Sequence, residues 1–175
     1  MTHLRPTDLK RLHRSWRQQT PHRLAVGLDD VMGPFNVGAV LRSAAAYRAE
    51  VMWITDAGTG AEHPKVGRTA LGSERFIDVR RAAGPGELLA EARQEGFRVI
   101  AVELAEGAQP LHELDLATDV CLVIGNEDHG VHREVLADAD AIGYLPQLGK
   151  VGSLNVATAA SIAMYEWARQ QWNAA

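Results

Sequence analysis

The stretch that decides the fold reads VCLVIGNEDHG from Val120 to Gly130 and AIGYLPQLGKVGSLN from Ala141 to Asn155. In each of these two ranges, a short apolar run leads into a loop that contains glycine. The second loop continues directly into a long alanine-rich segment. Short apolar runs bounded by turn residues are typical of buried strands, and the alanine-rich segment predicts a helix. The two loops and the start of this helix therefore bring main-chain N–H groups together, where a polar ligand can bind.

The rest of the chain repeats the alternation of strand and helix. Further apolar runs predict strands at residues 24–28, 51–54, 76–79 and 98–102. Periodic segments between them predict helices at residues 36–47, 64–71, 87–95 and 131–137. Because the inner strands are apolar throughout, both faces of the sheet must be covered, which predicts an α/β fold with a parallel sheet flanked by helices. Ligands bind such sheets at the carboxyl ends of the strands, and the polar clusters of this chain follow its strands.

The composition indicates one globular domain. The chain has 175 residues, of which 46% are hydrophobic and 23% are charged. It contains no apolar run of the length that crosses a membrane and no recognisable signal peptide. Its single cysteine, Cys121, lies in an apolar run, which excludes an internal disulfide and indicates a reducing compartment. We therefore expect a cytoplasmic protein that does not insert into a membrane.

The charge is distributed unevenly along the chain. Residues 1–23 carry a net charge of +5, whereas the remaining residues carry −9. Thr7 and Asp8 can cap a helix that continues to about Gln19, so residues 1–22 are expected to form a basic helical extension of a domain that spans residues 23–175. Such a basic segment indicates binding to a polyanion, and the alternative is a solvated amphipathic helix.

Five polar residues in the predicted loops and helix starts are candidates for chemistry. Asn36 can cap the helix that begins there, or it can have a functional role. Arg42 lies among apolar residues of that helix, so its guanidinium needs an acceptor such as a carboxylate or a phosphate. Glu127 can pair with Arg42 or can be a solvated loop acid. Ser153 can cap the last helix, whereas Asn155 is predicted one turn inside it, where asparagine is disfavoured.

Several common sites are not indicated by the sequence. The chain has no Walker P-loop, and the segment Gly58–Gly60 lacks the third glycine of a dinucleotide fingerprint. Asp128, His129 and His132 could suggest a metal, but no group of cysteines and histidines has the spacing of a ligand set. We interpret these histidines as surface residues and predict no metal site.

Three motifs occur in a fixed order: NVGAVLRSA at residues 36–44, LVIGNEDHG at 122–130 and LPQLGKVGSLNVA at 145–157. Together they resemble the motifs of the SpoU, or TrmH-like, branch of the SPOUT RNA methyltransferases, which are ribose 2′-O-methyltransferases. The resemblance covers roughly residues 24–172. It is greatest to the compact members that methylate a guanosine in the D-loop of tRNA.

The resemblance implies a fold and a cofactor that the residue pattern alone does not predict. The last strand and helix would thread a loop to form a C-terminal trefoil knot, and the knot would form a pocket for S-adenosylmethionine. Five residues match family positions that hold this cofactor: Val102, Glu103, Gly125, Leu145 and Leu154. Family members are homodimers, with the last helix and the first-motif helix at the interface.

The resemblance also implies an activity, the transfer of a methyl group from S-adenosylmethionine to a ribose 2′-hydroxyl of RNA. Arg42 is then the catalytic residue, Asn36 and Glu127 orient it, and Ser153 and Asn155 complete the pocket. A guanidinium stays protonated, so Arg42 is expected to stabilise the developing alkoxide and not to act as a base.

The partner expected from the resemblance is RNA, with tRNA preferred over rRNA. Three basic side chains of the N-terminal helix are expected to contact its phosphates: Arg11, Arg14 and Arg17. The alternatives are an rRNA 2′-O-methyltransferase, a non-catalytic knotted RNA-binding protein, and a nucleotide-binding regulatory domain. The basic segment disfavours the last of these.

Overall fold

The computed structural model describes residues 5–173, which contain a seven-stranded sheet with the order β3-β2-β1-β6-β4-β7-β5. All neighbouring strands are parallel. The strands are β1 (Leu24–Leu28), β2 (Val51–Thr55), β3 (Asp78–Ala82), β4 (Arg98–Val102), β5 (Gln109–Pro110), β6 (Val120–Ile124) and β7 (Ala141–Tyr144).

Helices connect the strands and cover the sheet. They are α1 (Pro6–Gln18), α2 (Pro34–Ala46), α3 (Gly67–Ala70), α4 (Pro85–Gln94), α5 (Arg133–Asp138) and α6 (Val156–Asn173). Two short 3-10 turns span Ser73–Phe76 and Leu111–Glu113. Pro34 and Pro85 each begin a helix, a position where the missing N–H of proline has no consequence.

Both faces of the sheet are buried, and each face has its own core. Along β1, Leu24, Val26 and Leu28 face one core, which also contains the apolar faces of α2 and α6. Ala25 faces the opposite core, which is covered by α4 and α5. This two-sided burial explains why the inner strands are apolar without interruption, and it confirms the predicted α/β fold with a parallel sheet flanked by helices.

The strand register brings the loops of the site together. Leu28 lies opposite Ile124, and Ile124 lies opposite Val102, so β1, β6 and β4 end at the same level. Val102 in turn lies opposite Gly143 of β7. The segments that follow these strands therefore share one edge of the sheet.

Several element boundaries differ from the predictions. The third strand was predicted at residues 76–79, but it begins at Asp78, because Phe76 belongs to a 3-10 turn. The helix predicted at residues 64–71 is limited to α3. The two-residue strand β5 was not predicted, since a pair of residues has no periodicity to read.

Helix α1 lies on the domain with none of its residues buried. The ring of Trp16 lies 4.9 Å from that of Trp172 on α6, and Nε1 of Trp172 donates a hydrogen bond to Oγ1 of Thr20 at 3.1 Å. Within residues 5–173, no helix has both the length and the apolar character needed to cross a membrane. The division at residue 22 and the trefoil knot stay predictions.

Candidate active site

A cavity of about 660 Å³ lies at the carboxyl edge of the sheet, between the loops that follow β4, β6 and β7 and the start of α6. Its wall contains every residue that was predicted to bind the cofactor: Val102, Glu103, Gly125, Leu145 and Leu154. It also contains three of the predicted catalytic residues: Glu127, Ser153 and Asn155. The fold thus gathers these side chains in one pocket, while the role of each stays a prediction.

The main chain packs closely around Gly125 in the pocket wall. A Cβ atom at Gly125 would lie 2.2 Å from the carbonyl carbon of Gly130 and 2.2 Å from the amide nitrogen of Val131. The loop doubles back here, because Asn126 and Gly130 exchange two main-chain hydrogen bonds of 3.0 Å each. Only glycine fits at position 125, and this part of the pocket is therefore formed by main chain.

Glu103 joins the end of β4 to the same loop. Its Oε2 accepts a hydrogen bond from the main-chain N–H of Val131 at 3.0 Å, and its Oε1 accepts one from Leu104 at 2.9 Å. A carboxylate has lone pairs beyond these two bonds, so Glu103 can also accept a hydrogen bond from a ligand hydroxyl group.

Three predicted catalytic residues form one hydrogen-bonded cluster, the Asn36 hub, which consists of Asn36, Glu127 and Asn155. Nδ2 of Asn36 donates to Oε1 of Glu127 at 2.8 Å, and Nδ2 of Asn155 donates to Oδ1 of Asn36 at 3.0 Å. The hub connects the first turn of α2, the loop after β6 and the residue before α6. Side chains that are far apart in sequence are thereby held in one arrangement.

The interpretation of Asn36 as a helix cap is wrong. Helix α2 begins at Pro34, and its N-cap is Gly33. Asn36 therefore lies inside the first turn, where its side chain is available to the hub. A Cβ atom at Gly33 would lie 2.6 Å from Oε1 of Glu127, so a side chain there would displace the Glu127 carboxylate from the hub.

The cap of the last helix is Asn155 and not Ser153, and Asn155 does not lie inside the helix as predicted. Oδ1 of Asn155 accepts hydrogen bonds from the main-chain N–H groups of Ala157 at 3.0 Å and Thr158 at 3.2 Å, so Asn155 caps α6. Ser153 precedes the helix and is exposed at the pocket. Asn155 thus uses its oxygen for the helix and its nitrogen for the hub.

Glu127 is held as a carboxylate by three donors. Besides Asn36, the main-chain N–H groups of Met32 and Gly33 donate to it at 3.0 Å and 2.8 Å. Burial acts to raise the pKa of Glu127, but the hydrogen bonds from Asn36 and the main chain outweigh it and lower the pKa below the usual range. Glu127 is therefore ionised at neutral pH and fixes the loop that leads into α2.

The predicted pairing of Arg42 with Glu127 does not occur. Arg42 is exposed on α2, and its side chain makes no hydrogen bond or ion pair with another residue in the range 5–173. It also lies outside the wall of the cavity in its own chain. No carboxylate of residues 5–173 is its acceptor, because the guanidinium points to solvent, away from the buried stripe of α2 that contains Val40 and Leu41. The alternative acceptor, a phosphate, stays a prediction.

The sequence did not predict a charged pair beside the pocket loop. Asp29 is fully buried at the end of β1, and it accepts hydrogen bonds from the main-chain N–H of His132 at 2.8 Å and from Nδ1 of His132 at 2.7 Å. The hydrogen bond with Asp29 raises the pKa of His132, with a further contribution from Asp30. Asp29, Asp30 and His132 could together hold a metal ion by their spacing, but the hydrogen bonds already account for their arrangement.

A second, more open cavity of about 490 Å³ lies between α2 and α6. Asn36 and Asn155 of the hub form one end of it, and Ile162 and Tyr165 of α6 are exposed along it. We call this region the α2–α6 groove. Such an apolar surface between two helices is typical of a contact with another molecule.

The basic side chains of α1 are free to meet a ligand. Arg11, Arg14 and Arg17 are exposed, and none of them has a hydrogen-bonded or ion-paired partner among the described residues. The predicted RNA contact is compatible with this exposure but is not tested by it.

Comparison with known proteins places this site in a family. The model of the SpoU rRNA methylase family matches residues 23–165. An uncharacterized tRNA/rRNA methyltransferase of Synechocystis sp. is 34% identical over 160 residues, which cover 91% of this chain and 58% of that protein. The tRNA (guanosine(18)-2′-O)-methyltransferase of Escherichia coli K12 is 29% identical over 174 residues, which cover 98% of this chain and 73% of that enzyme.

A solved structure shows the same architecture. The crystal structure of an AdoMet-bound rRNA methyltransferase from Sinorhizobium meliloti superposes with a TM-score of 0.79 at 30% identity, over 86% of this chain and 59% of that one. The chain thus spans about three fifths of the length of the Synechocystis and Sinorhizobium relatives. The family model covers most of the chain, including all three sequence motifs, and this protein therefore belongs to the SpoU rRNA methylase family.

Proposed function

We propose that this protein transfers the methyl group of S-adenosylmethionine to a ribose 2′-hydroxyl of a structured RNA, with tRNA preferred over rRNA. The observation that carries the proposal is the 660 Å³ pocket, which gathers the predicted cofactor residues beside the Asn36 hub. Relatives that are described as tRNA and rRNA methyltransferases support the reaction class. A cytoplasmic location, expected from the sequence, is part of the proposal.

The pocket suits the methyl donor in size and in the chemistry of its wall. Its volume lies in the range of about 300–1,000 Å³ that small-molecule sites occupy. The main-chain wall at Gly125 can approach a flat base closely, and the Glu103 carboxylate can accept hydrogen bonds from ribose hydroxyls. When bound, S-adenosylmethionine supplies an electrophilic methyl group on a positively charged sulfur. We propose that the trefoil knot of the family holds the loops around this site.

The reaction then requires the protein to align a weak nucleophile and to stabilise its negative charge. Arg42 is the candidate for this task, because its exposed guanidinium has no partner among residues 5–173. It would stabilise the developing alkoxide and an adjacent phosphate, while a phosphate oxygen or water takes the proton. The Asn36 hub would fix the start of α2 and so the helix that carries Arg42.

Arg42 would reach a pocket on a second copy of the chain. It does not line the pocket of its own chain, and the α2–α6 groove leaves Ile162 and Tyr165 exposed. A homodimer that buries this groove would cover these apolar side chains. It would also bring α2 of one copy towards the site of the other. This arrangement supports a site completed by both copies.

The experiment that tests the function uses purified protein, labelled S-adenosylmethionine, and separate pools of total tRNA and rRNA. We expect label in tRNA on a 2′-O-methylated nucleoside, identified by nuclease digestion and mass spectrometry. The Arg42→Ala protein should bind the methyl donor normally in calorimetry, but its rate of methyl transfer should fall by about 100-fold or more. Label only in rRNA would show that the substrate is rRNA and not tRNA. Near-normal transfer by Arg42→Ala would show that Arg42 is not the catalytic residue.

The rival function is RNA binding without catalysis, with the methyl donor as a structural ligand. It predicts tight binding of both RNA and donor, and no label in either RNA pool. The intact hub argues against it, because donor and RNA binding alone would not require Asn36, Glu127 and Asn155 to be held in one arrangement beside the pocket.

A further inference from the structure

The segment between β2 and β3 exposes large apolar side chains away from the pocket. Leu71 and Phe76 are 63% and 66% exposed, although the same segment buries Val66 and Ala70 in the core. Leu71 adopts a left-handed backbone with φ of +52°. The guanidinium of Arg75 lies over the ring of Phe76, with 4.7 Å between Cζ and the ring centre. A stacked arginine and phenylalanine therefore stand at the surface.

Three cations of this segment have no partner in the part of the chain that the structure describes. The side chains of Lys65, Arg68 and Arg75 make no hydrogen bond or ion pair with another residue of the described chain. Some other arginines of the domain differ, since Arg23 and Arg169 are each paired with a carboxylate at 2.6–2.7 Å. Three cations without a partner among the described residues thus lie in the segment that exposes Leu71 and Phe76. We call Lys65, Arg68, Leu71, Arg75 and Phe76 the α3 surface.

The α3 surface is fixed against the helix that carries the candidate catalytic residues. Position 38 of α2 must be glycine, because a Cβ atom there would lie 2.4 Å from the carbonyl oxygen of Val66 and 2.0 Å from Oγ1 of Thr69. The hydroxyl of Thr69 also donates to the carbonyl oxygen of Phe35 at 3.1 Å, next to Asn36. The 3-10 turn that ends at Phe76 packs against α2 as well. The surface therefore has a defined position relative to the hub.

We propose that the α3 surface binds the RNA that carries the target ribose. An unpaired base would stack on the Phe76 ring and the Arg75 guanidinium, and Lys65 and Arg68 would contact phosphates. This inference rests on the proposed function. It adds a contact region distinct from α1, on the helix layer that carries Asn36 and Arg42.

The chemistry of the surface favours RNA over a protein partner. An aromatic ring paired with a guanidinium is a typical platform for a nucleic-acid base, and unpaired cations around it complement a phosphate backbone. The core of a protein interface is depleted of lysine, and it buries contiguous apolar area. Here three cations are interspersed with two apolar side chains, and they outnumber the exposed acids between residues 62 and 76, which are Glu62 and Glu74. The net charge of this stretch is therefore positive, as binding to a polyanion requires.

The test compares three purified proteins: the wild type, a Phe76→Ser variant and a Lys65→Gln/Arg68→Gln variant. The matched control is Arg133→Gln, which removes an exposed, unpaired cation from α5 on the opposite face of the sheet. Binding to total tRNA is measured by filter binding at several salt concentrations. Unfolding temperatures and methyl-donor affinity are measured in parallel, and we expect both to stay unchanged, since all substituted side chains are exposed.

We expect Phe76→Ser to weaken RNA binding about 5- to 150-fold, the loss that follows when one base loses its stacking partner. The double variant should reduce the slope of log K against log salt by about 0.7–0.9 for each lost phosphate contact. Arg133→Gln should bind as the wild type does. Wild-type RNA affinity in both surface variants would overturn the inference.

Three further readouts separate this inference from the proposed function and from a contact between two copies of the chain. If the wild type methylates RNA but the surface variants bind RNA normally, the proposed function is supported and the α3 surface is not an RNA-binding site. If the wild type binds RNA through this surface but transfers no methyl group, the proposed function fails and the surface stands. Sedimentation is the third readout: if the variants change the oligomeric state and leave RNA binding intact, the surface contacts a second copy, which also overturns the inference.

Discussion

Replacement of Glu127 by glutamine tests whether the Asn36 hub positions the catalytic groups. The Glu127 carboxylate accepts hydrogen bonds from the main-chain N–H groups of Met32 and Gly33 and from Nδ2 of Asn36. Glutamine has the same shape but only one acceptor oxygen. If that oxygen serves Gly33 and Asn36, the glutamine Nε2 faces the N–H of Met32. One charge-assisted bond is then lost, and two donors oppose each other.

The expected loss of stability follows from that single bond. A hydrogen bond to a charged group contributes about 1.5–3 kcal/mol, and the exposure of Glu127 lowers this to about 1–2 kcal/mol. For a chain of this length, each kcal/mol shifts the unfolding temperature by about 2–4 °C. We therefore expect the Glu127→Gln protein to unfold about 2–8 °C below the wild type at pH 7, as measured by calorimetry.

The pH dependence of this difference has a definite sign. The hydrogen bonds hold the pKa of Glu127 in the folded protein below the ordinary value of about 4.3. A lowered carboxyl pKa contributes stability that is complete above the ordinary value and is lost as the pH falls through the lowered pKa. The stability difference between the wild type and Glu127→Gln should therefore be constant from pH 6 to 8 and shrink below about pH 4.3.

The effect on turnover separates positioning from simple stability. If the whole of this roughly 1–2 kcal/mol is lost from the stabilisation of the transition state, kcat falls about 5- to 30-fold. The control is Asp128→Asn in the same loop, since the Asp128 side chain has no hydrogen-bonded partner among residues 5–173. Equal kcat and unfolding temperature in the two variants would show that the hub has no positioning role.

Three further outcomes can be measured on the same protein. Gly125→Ala should weaken methyl-donor binding at least tenfold in calorimetry, because its Cβ atom would lie 2.2 Å from main-chain atoms; normal affinity would contradict the pocket assignment. His132→Ala should destabilise the protein by about 2–4 kcal/mol, since buried Asp29 loses its cationic partner. Because the pKa of His132 is raised, the difference in unfolding free energy between the wild type and His132→Ala should have its full size below about pH 6.5 and shrink at higher pH, as measured by denaturant titration. A difference that grows with pH would contradict the pairing. Replacing the α1 arginines Arg11, Arg14 and Arg17 with glutamine should reduce the slope of log K for RNA binding against log salt. An unchanged slope would show that α1 has no phosphate contact.

The sheet could be predicted from the sequence because its physical cause is local. Strands that are buried on both faces need apolar residues, and β1 and β6 satisfy this along their full length, as β2 does over residues 51–54. The pocket could also be predicted, since polar loops after parallel strands meet at one edge of the sheet. The short strand β5 could not be predicted, because it forms only through its pairing with β7 and its own two residues carry no strand pattern.

The details of the site depend on contacts that no local pattern encodes. Ser153 and Asn155 are both good caps, and the position of Asn36, 119 residues away from Asn155, favours Asn155 for that role. The partner of buried Asp29 is His132, which lies 103 residues further along the chain. Arg42 was expected to need a carboxylate or a phosphate as its acceptor, and its helix turns it to solvent, away from the Glu127 carboxylate that the sequence offered. Each of these outcomes required the tertiary structure.

The hub also links the two helices on which the proposed site depends. Asn36 lies in the first turn of α2 and Asn155 caps α6, so their hydrogen bond joins the starts of both helices. The helices are joined again further along, where the hydroxyl oxygens of Ser43 and Ser161 lie 2.8 Å apart. Two connections fix both the separation and the relative rotation of α2 and α6, and Ser43 directly follows Arg42. In a dimer that buries the α2–α6 groove, the same hydrogen bonds would set how the second copy approaches and where Arg42 points. Loss of the hub should therefore reduce turnover even in a protein that still binds the methyl donor and RNA.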